Sequence, residues 1–399
     1  MMTFPYISQI VVNNCYTYQN FRIPNYELSQ IRHIILTGKN GSGKTTILNR
    51  IAFLLSQLHD GKDREKGIND LKNTIRANMK HSLRNSWEQQ LQYYNDIDLK
   101  YIEGNANVLI EHPEDYIISF FKAHRKVDLK EVETVTKEVE FIKLFKQNDT
   151  SGFINQFKQY LVNKKVYEAF DYMNSNDLKI NQSKLFFDNL TLTLRSIFKD
   201  DQLELDFVQE SFEFYLKLKD DRKVTFNQLS EGFSAYLSIL MDLLMRADLL
   251  RKDKINYSLE PEGIVLIDEP ETHLHLSMQY EILPLINKLF PKIQLVVATH
   301  SPAIISSLKN AVIYDLTSKD GASDWVLGSS FSELMIKHFG LENEYSSFAD
   351  KIIFDINKAV RENSIDNLRA ILIENDRYLT PSLRLEIESQ IISINSRAD

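Results

Sequence analysis

Arg32-His-Ile-Ile-Leu-Thr-Gly-Lys-Asn-Gly-Ser-Gly-Lys-Thr45 decides how the rest of the chain is read. A short apolar run enters a loop that fits G-x-x-x-x-G-K-[ST] from Gly38 to Thr45. Apolar residues then recur at helical spacing at Ile47, Ile51, Leu54, Leu55 and Leu58. Strand, glycine loop and helix in that order form the setting in which successive amides turn toward phosphate oxygens and a helix N-terminus adds its positive end. The expected nucleotide contacts are Gly38, Lys39, Asn40, Gly41, Ser42, Gly43, Lys44, Thr45 and Thr46. Lys44 is expected to reach the β- and γ-phosphates of ATP, and the Thr45 hydroxyl to hold Mg2+.

Three later segments fit the same site. Ile264-Val-Leu-Ile-Asp-Glu269 opens with a continuous apolar run, as a buried parallel strand should. Asp268 then stands at the strand tip, placed for Mg2+ directly or through water, and Glu269 is the group to polarise an attacking water. In Thr299-His-Ser-Pro302, His300 follows another strand and can reach the γ-phosphate or that water. Leu229-Ser-Glu-Gly232 opens an apolar helix over roughly 231–251, so Ser230 is an N-cap in any case. A serine and a glycine at a helix start also make an anion site. Within one chain that site lies far from the glycine loop; it makes sense if two protomers pack head to tail, each offering Ser230 and Gly232 to the other's ATP. His273 and His275 follow closely, but with no third ligand nearby in sequence they suit a protomer contact loop better than a metal.

The bulk numbers narrow the class. The 399 residues, 43% hydrophobic and 26% charged, suffice for a large core with one or two additions, and long disorder is not expected. A net charge of −8 speaks against a whole-surface nucleic-acid binder but leaves room for a basic strip. The single Cys15 excludes an internal disulfide and any multi-cysteine zinc site. Neither a basic-then-apolar leader nor a run of about 20 apolar residues is seen, so a cytoplasmic protein off the membrane is expected.

Along the chain, the ATPase head is expected in two pieces, 1–58 and 200–320. Between them, 59–199 reads as a mainly helical insertion with a core strand near 116–123, and 321–399 as a helical C-terminal region. The strip Lys62–Arg84 and the point Lys122, Arg125 and Lys126 carry positive charge; each reads either as a DNA or RNA contact or as a solvated face.

The order phosphate loop, Leu-Ser-x-Gly, Asp-Glu, histidine resembles the ABC-class ATPase head. Asp268-Glu-Pro-Glu-Thr-His-Leu-His275 with Thr299-His-Ser-Pro302 is similar to the RecF/SMC and OLD-nuclease branch. Residues 285–316, with Phe290-Pro and Val312-Ile-Tyr-Asp-Leu316, resemble bacterial anti-phage ATPases such as the PARIS-type and Septu-type subunits. The resemblance implies an α/β P-loop fold: a mixed sheet flanked by helices. It also implies an ATP- and Mg2+-dependent ATPase acting as a homodimer or higher even oligomer. The family's glutamine loop has four candidates, Gln89, Gln90, Gln92 and Gln147. OLD-type nucleases continue into a Toprim domain with an Asp-x-Asp; here Asp96-Ile-Asp98 reads as solvated acids in the insertion, so no nuclease activity is expected in this chain. The first functional reading is a switch that gates a separate nuclease or toxin in anti-phage defence; the alternative is a RecF-like repair ATPase on DNA.

Overall fold

A computed structural model describes residues 4–77, 83–102, 106–125, 129, 131–137, 140–141, 154–251, 260–318, 320–321, 333, 347–375, 379 and 381–398. Two compact units are present, 1–331 and 332–399.

The first unit begins with an antiparallel hairpin, β1 (Tyr6–Cys15) and β2 (Tyr18–Ile23). Next come β3 (His33–Thr37), whose five residues are all buried, and α1 (Lys44–His59). Gly43 caps α1 at φ 86°, a left-handed turn open to glycine, and a Cβ there would meet the Tyr16 ring at 2.9 Å. Ile47, Leu48, Ile51, Leu54, Leu55 and Leu58 form the buried face of α1. α2 (Arg64–Ala77) and α3 (Arg84–Asp96) lead to β4 (Ile97–Ile102), which pairs antiparallel with β1. The segment read as helical insertion therefore contributes a third strand to the β2-β1-β4 sheet. Asp96, read as solvated, is instead 2% exposed and bonded to Arg50 of α1 at 2.6 Å. Asp98 remains at the surface beside Arg64.

After α4 (Asn107–Glu111), β5 (Ile117–Phe121) supplies the core strand expected near 116–123. A helical hairpin, α5 (Phe157–Met173) and α6 (Asp177–Phe198), precedes a small antiparallel sheet of β6 (Glu204–Val208), β7 (Glu213–Lys217) and β8 (Lys223–Thr225). α7 (Glu231–Arg251) then runs through the core, packed on α5 and β5 and buried from Ala235 almost to its end. Asp242, the acid in its apolar run, is fully buried and paired with Arg246 one turn on, at 2.7 Å.

The central sheet is completed by β9 (Gly263–Asp268), α8 (Leu276–Leu289), β10 (Ile293–Ala298), the single turn α9 (Pro302–Ile305), β11 (Ala311–Asp315) and β12 (Asp320–Gly321). Its order is β12-β11-β3-β10-β9-β5, parallel except for the β12 edge. This is the mixed α/β P-loop architecture. Because β3, β9 and β10 run the same way side by side, their C-terminal ends open at one edge of the sheet. The phosphate-loop strand is locked in place by His33. Its ring is 2% exposed, Nδ1 accepts the Leu295 N–H at 3.0 Å, and Nε2 therefore carries the proton toward Asn287 Oδ1 at 3.1 Å. Burial pushes its pKa down to about 4.

The second unit holds α10 (Ser347–Arg361), α11 (Ile365–Glu374) and α12 (Pro381–Ala398), gathered around Ile352, Ile356, Leu368, Ile387 and Ile394. The C-terminal helices expected from periodicity are thus present among the described residues.

Candidate functional site

A cleft of about 440 Å3 lies where β3, β9 and β10 end. It is lined by Asn40–Thr46, Glu269, His300 and Tyr16. The glycine loop between β3 and α1 is braced from two sides. The Tyr18 hydroxyl of β2 lies 2.6 Å from the Ser42 carbonyl and 3.0 Å from the Leu316 carbonyl and shares its one proton between them. The Lys39 N–H donates to Thr317 Oγ1 at 2.9 Å. Gly38 and Lys39 thus form the entry of the loop rather than the cleft wall.

Lys44 is 5% exposed, and its ammonium donates to the Gly38 and Lys39 carbonyls at 2.9 and 3.2 Å. Burial lowers its pKa to about 8, against the opposing pull of Glu269, Glu271, Asp268 and Asp315. Among the carboxylates, Asp268 ends β9 and accepts from the Thr45 hydroxyl at 3.1 Å. Burial raises its pKa, with Thr45, Arg125 and Lys44 opposing.

Glu269 adopts φ 46°, a left-handed conformation that costs a non-glycine residue about 1–2 kcal/mol. Its N–H is tied to the Ala298 carbonyl at 2.8 Å, joining the ends of β9 and β10. His300 Nε2 stands 3.5 Å from Glu269 Oε1. Burial, then Lys44, lowers the His300 pKa, which keeps the ring neutral at physiological pH. The His300 main-chain N–H donates to Glu271 Oε1 at 2.6 Å, so the second acid of the Asp-Glu-Pro-Glu segment orients the histidine loop. Burial raises the Glu271 pKa.

Ser230 and Gly232 are not part of this cleft. Ser230 is exposed just ahead of α7. A Cβ at Gly232 would sit 2.5 Å from the His273 carbonyl oxygen, so the helix start abuts the 271–275 loop of its own chain and only glycine fits. His273 leans toward Glu231, Nδ1 to Oε2 3.7 Å, and both His273 and His275 are exposed. Among the described residues no group of three or more His, Cys, Asp or Glu side chains converges as a metal cage. Mg2+ needs none, because it binds through one or two side chains plus phosphates, and the adjacent Thr45 hydroxyl and Asp268 carboxylate fit that mode.

Two residues escape sequence reasoning. Tyr16, at φ 60° in the β1–β2 turn and 58% exposed, borders the glycine loop. Arg125, read as part of a basic surface point, turns inward and donates to the carbonyls of Asp268 at 2.9 Å and Glu269 at 3.1 Å. Lys126 and, in the other basic strip, Lys80 lie outside the described residues. Of the glutamines, Gln89, Gln90 and Gln92 sit in α3 and do not line the cleft; Gln147 lies outside the described residues.

A family profile described as "AAA domain, putative AbiEii toxin, Type IV TA system" matches residues 119–306, from within β5 to just past α9. The Septu protein PtuA of Bacillus thuringiensis is 24% identical over 377 residues, covering 87% of this chain and 88% of that protein. The Retron Vc95 probable ATPase of Vibrio cholerae serotype O1 biovar El Tor is 22% identical, covering 75% and 71%. The Retron Ec83 probable ATPase of Escherichia coli is 34% identical over 123 residues, 28% of this chain and 22% of that protein. Strand order, motif order and these relatives agree: the chain carries an α/β P-loop ATPase head and is similar to Septu and retron ATPases.

Proposed function

We propose that the chain is an ATP-driven switch that hydrolyses ATP and gates a separate effector, a nuclease or toxin, in anti-phage defence. The observation that carries this reading is the single cleft shared by Lys44, Thr45, Glu269 and His300, with Asp268 behind it. Lys44 exchanges its loop carbonyls for phosphate oxygens, and the amides of Gly41–Thr45 follow the same charge. Thr45 and Asp268 would hold Mg2+, which when bound neutralises charge on the phosphates. Glu269 orients a water in line with the γ-phosphorus. As the new O–P bond forms, the bridging P–O bond to the leaving ADP breaks and the water's proton passes to the Glu269 carboxylate. The neutral His300 ring, on a loop whose main-chain N–H is held by Glu271, contacts the γ-phosphate and registers its loss.

The exposed Ser230 and the half-buried Gly232 face a partner's phosphates in a head-to-tail dimer, so that ATP bridges two surfaces and hydrolysis releases them. That both lie outside their own cleft supports this arrangement. Of the basic residues that a repair-type reading would use, Arg125 is turned inward and Arg64 and Arg84 are paired with Asp98 and Glu88, whereas Lys66, Lys72 and Arg76 stay exposed. Among the described residues no helix is long and apolar enough to cross a membrane.

The test is the solution mass of wild type and Glu269→Gln, each with and without ATP–Mg2+. An ATP-dependent increase, trapped by Glu269→Gln and lost in Ser230→Arg, is the expected result. A mass unchanged in every condition refutes the ATP-bridged dimer, and absent phosphate release from wild type refutes the ATPase.

A further inference from the structure

We infer that Arg125 is a positioning residue of the ATP site, a guanidinium clamp on the Asp268–Pro270 main chain that holds Glu269 in its working conformation. This rests on the reading of Glu269 given above. β5 and β9 are parallel neighbours with Phe121 beside Ile267, so the loop after β5 emerges next to the loop that carries Glu269. Four residues past β5, the Arg125 guanidinium spans three successive carbonyls. Nη1 donates to Asp268 O at 2.9 Å; Nη2 donates to Glu269 O at 3.1 Å and Pro270 O at 3.5 Å. A further bond from Nη1 to Lys122 O, 2.9 Å, ties the clamp to its own loop.

Two features distinguish this from an ordinary loop contact. First, the clamped residue is the strained one. Glu269 at φ 46° is held at its N–H by Ala298 and at its carbonyl by Arg125, and such a backbone persists only where its surroundings over-determine it. Second, a neutral donor would suffice for a latch, whereas burying a positive charge is costly. Here that charge sits among Asp268, Glu269 and Glu271 and offsets their mutual repulsion. Burial lowers the Arg125 pKa to about 10, leaving it charged at physiological pH.

The experiment compares wild type, Arg125→Ala and Arg125→Lys in phosphate release from ATP–Mg2+, in ATP affinity by calorimetry, and in hydrogen exchange of the nucleotide-free chain. Misplacing a catalytic group by about 1 Å costs about 10²-fold, so kcat should fall by about that factor in Arg125→Ala while KM and ATP affinity stay within about threefold. Arg125→Lys, with one ammonium in place of a fork, should recover part of the rate. Adding Arg125→Ala to Glu269→Gln should cost nothing further, since both remove the same contribution. Turnover near wild type, loss of affinity equal to the loss of kcat, or an additive double variant would overturn the inference. If wild type itself does not hydrolyse ATP, the ATPase reading fails, and exchange then decides alone. The amides of Glu269 and 271–274 should exchange at least about tenfold faster in Arg125→Ala with those of 38–45 unchanged, and equal rates would overturn the clamp.

Discussion

Acidification should loosen the phosphate-loop strand through one residue, His33. Its ring is sealed between β3, β10 and Asn287 in a single tautomer, with Nδ1 already accepting the Leu295 N–H. A proton can be added only by breaking that bond and charging a site 2% exposed, and burial accordingly holds the folded pKa near 4. The unfolded chain takes up the proton at about 6.5. Stability contributed by the neutral ring is thus complete above that value, falls as pH drops below it, and levels off under the folded value. Integrated between about pH 7 and about pH 5, the loss is about 2 kcal/mol from this side chain alone.

Asp268 and Glu271, whose pKa values are raised by burial, work in the opposite direction, favouring the folded state as pH falls, so the bare pH dependence of wild type is not diagnostic. The difference between wild type and His33→Asn is. The asparagine oxygen can still accept from Leu295, but nothing titrates. Urea unfolding followed by circular dichroism at the two pH values should show wild type losing about 2 kcal/mol more than the variant. Parallel losses, equal within about 0.5 kcal/mol, would refute the account of His33 as a neutral buried lock.

Removing either partner of the Asp242–Arg246 pair, as in Asp242→Ala or Arg246→Met, should cost about 3–5 kcal/mol by denaturant midpoint, and the double Asp242→Leu/Arg246→Met should recover most of it. Gly232→Ala should destabilise the nucleotide-free chain by about 1–3 kcal/mol in thermal unfolding, because its Cβ meets a main-chain oxygen at 2.5 Å; an unshifted melting temperature would contradict that close approach. Lys44→Ala should weaken a fluorescent ATP analogue by about 10- to 100-fold in equilibrium titration while leaving thermal stability near wild type.

What the sequence discloses about this protein is what the backbone dictates locally. Gly38–Thr45, the apolar strand before Asp268 and the helix after Ser230 are short patterns in which neighbouring residues impose the geometry, and they were legible as written. Arg125 was not, because its acceptors lie 143 to 145 positions away and are carbonyls, which leave no mark in side-chain sequence. Asp96 was hidden for the same reason: its partner Arg50 comes from another helix. β4 was within reach, since Ile97-Asp-Leu-Lys-Tyr-Ile102 alternates in part, but the charged helices before it masked its edge pairing with β1. Which glutamine, if any, serves the site was unreadable because several are present and sequence alone does not say which strand end each approaches.

The adjacency of β5 and β9 has a consequence for chain length. The chain departs from the sheet at Phe121 and rejoins it beside that strand at Gly263, so everything between is a single excursion that begins and ends on neighbouring strands. Doubling the length of such an excursion costs only about 0.6 kcal/mol in closure entropy. Changes in the length of the segment between Arg125 and Ser230 are therefore cheap in chain entropy, provided the few residues at its two mouths are kept. A sheet connected this way can take up insertions at that point while the strands that carry the nucleotide cleft keep their places.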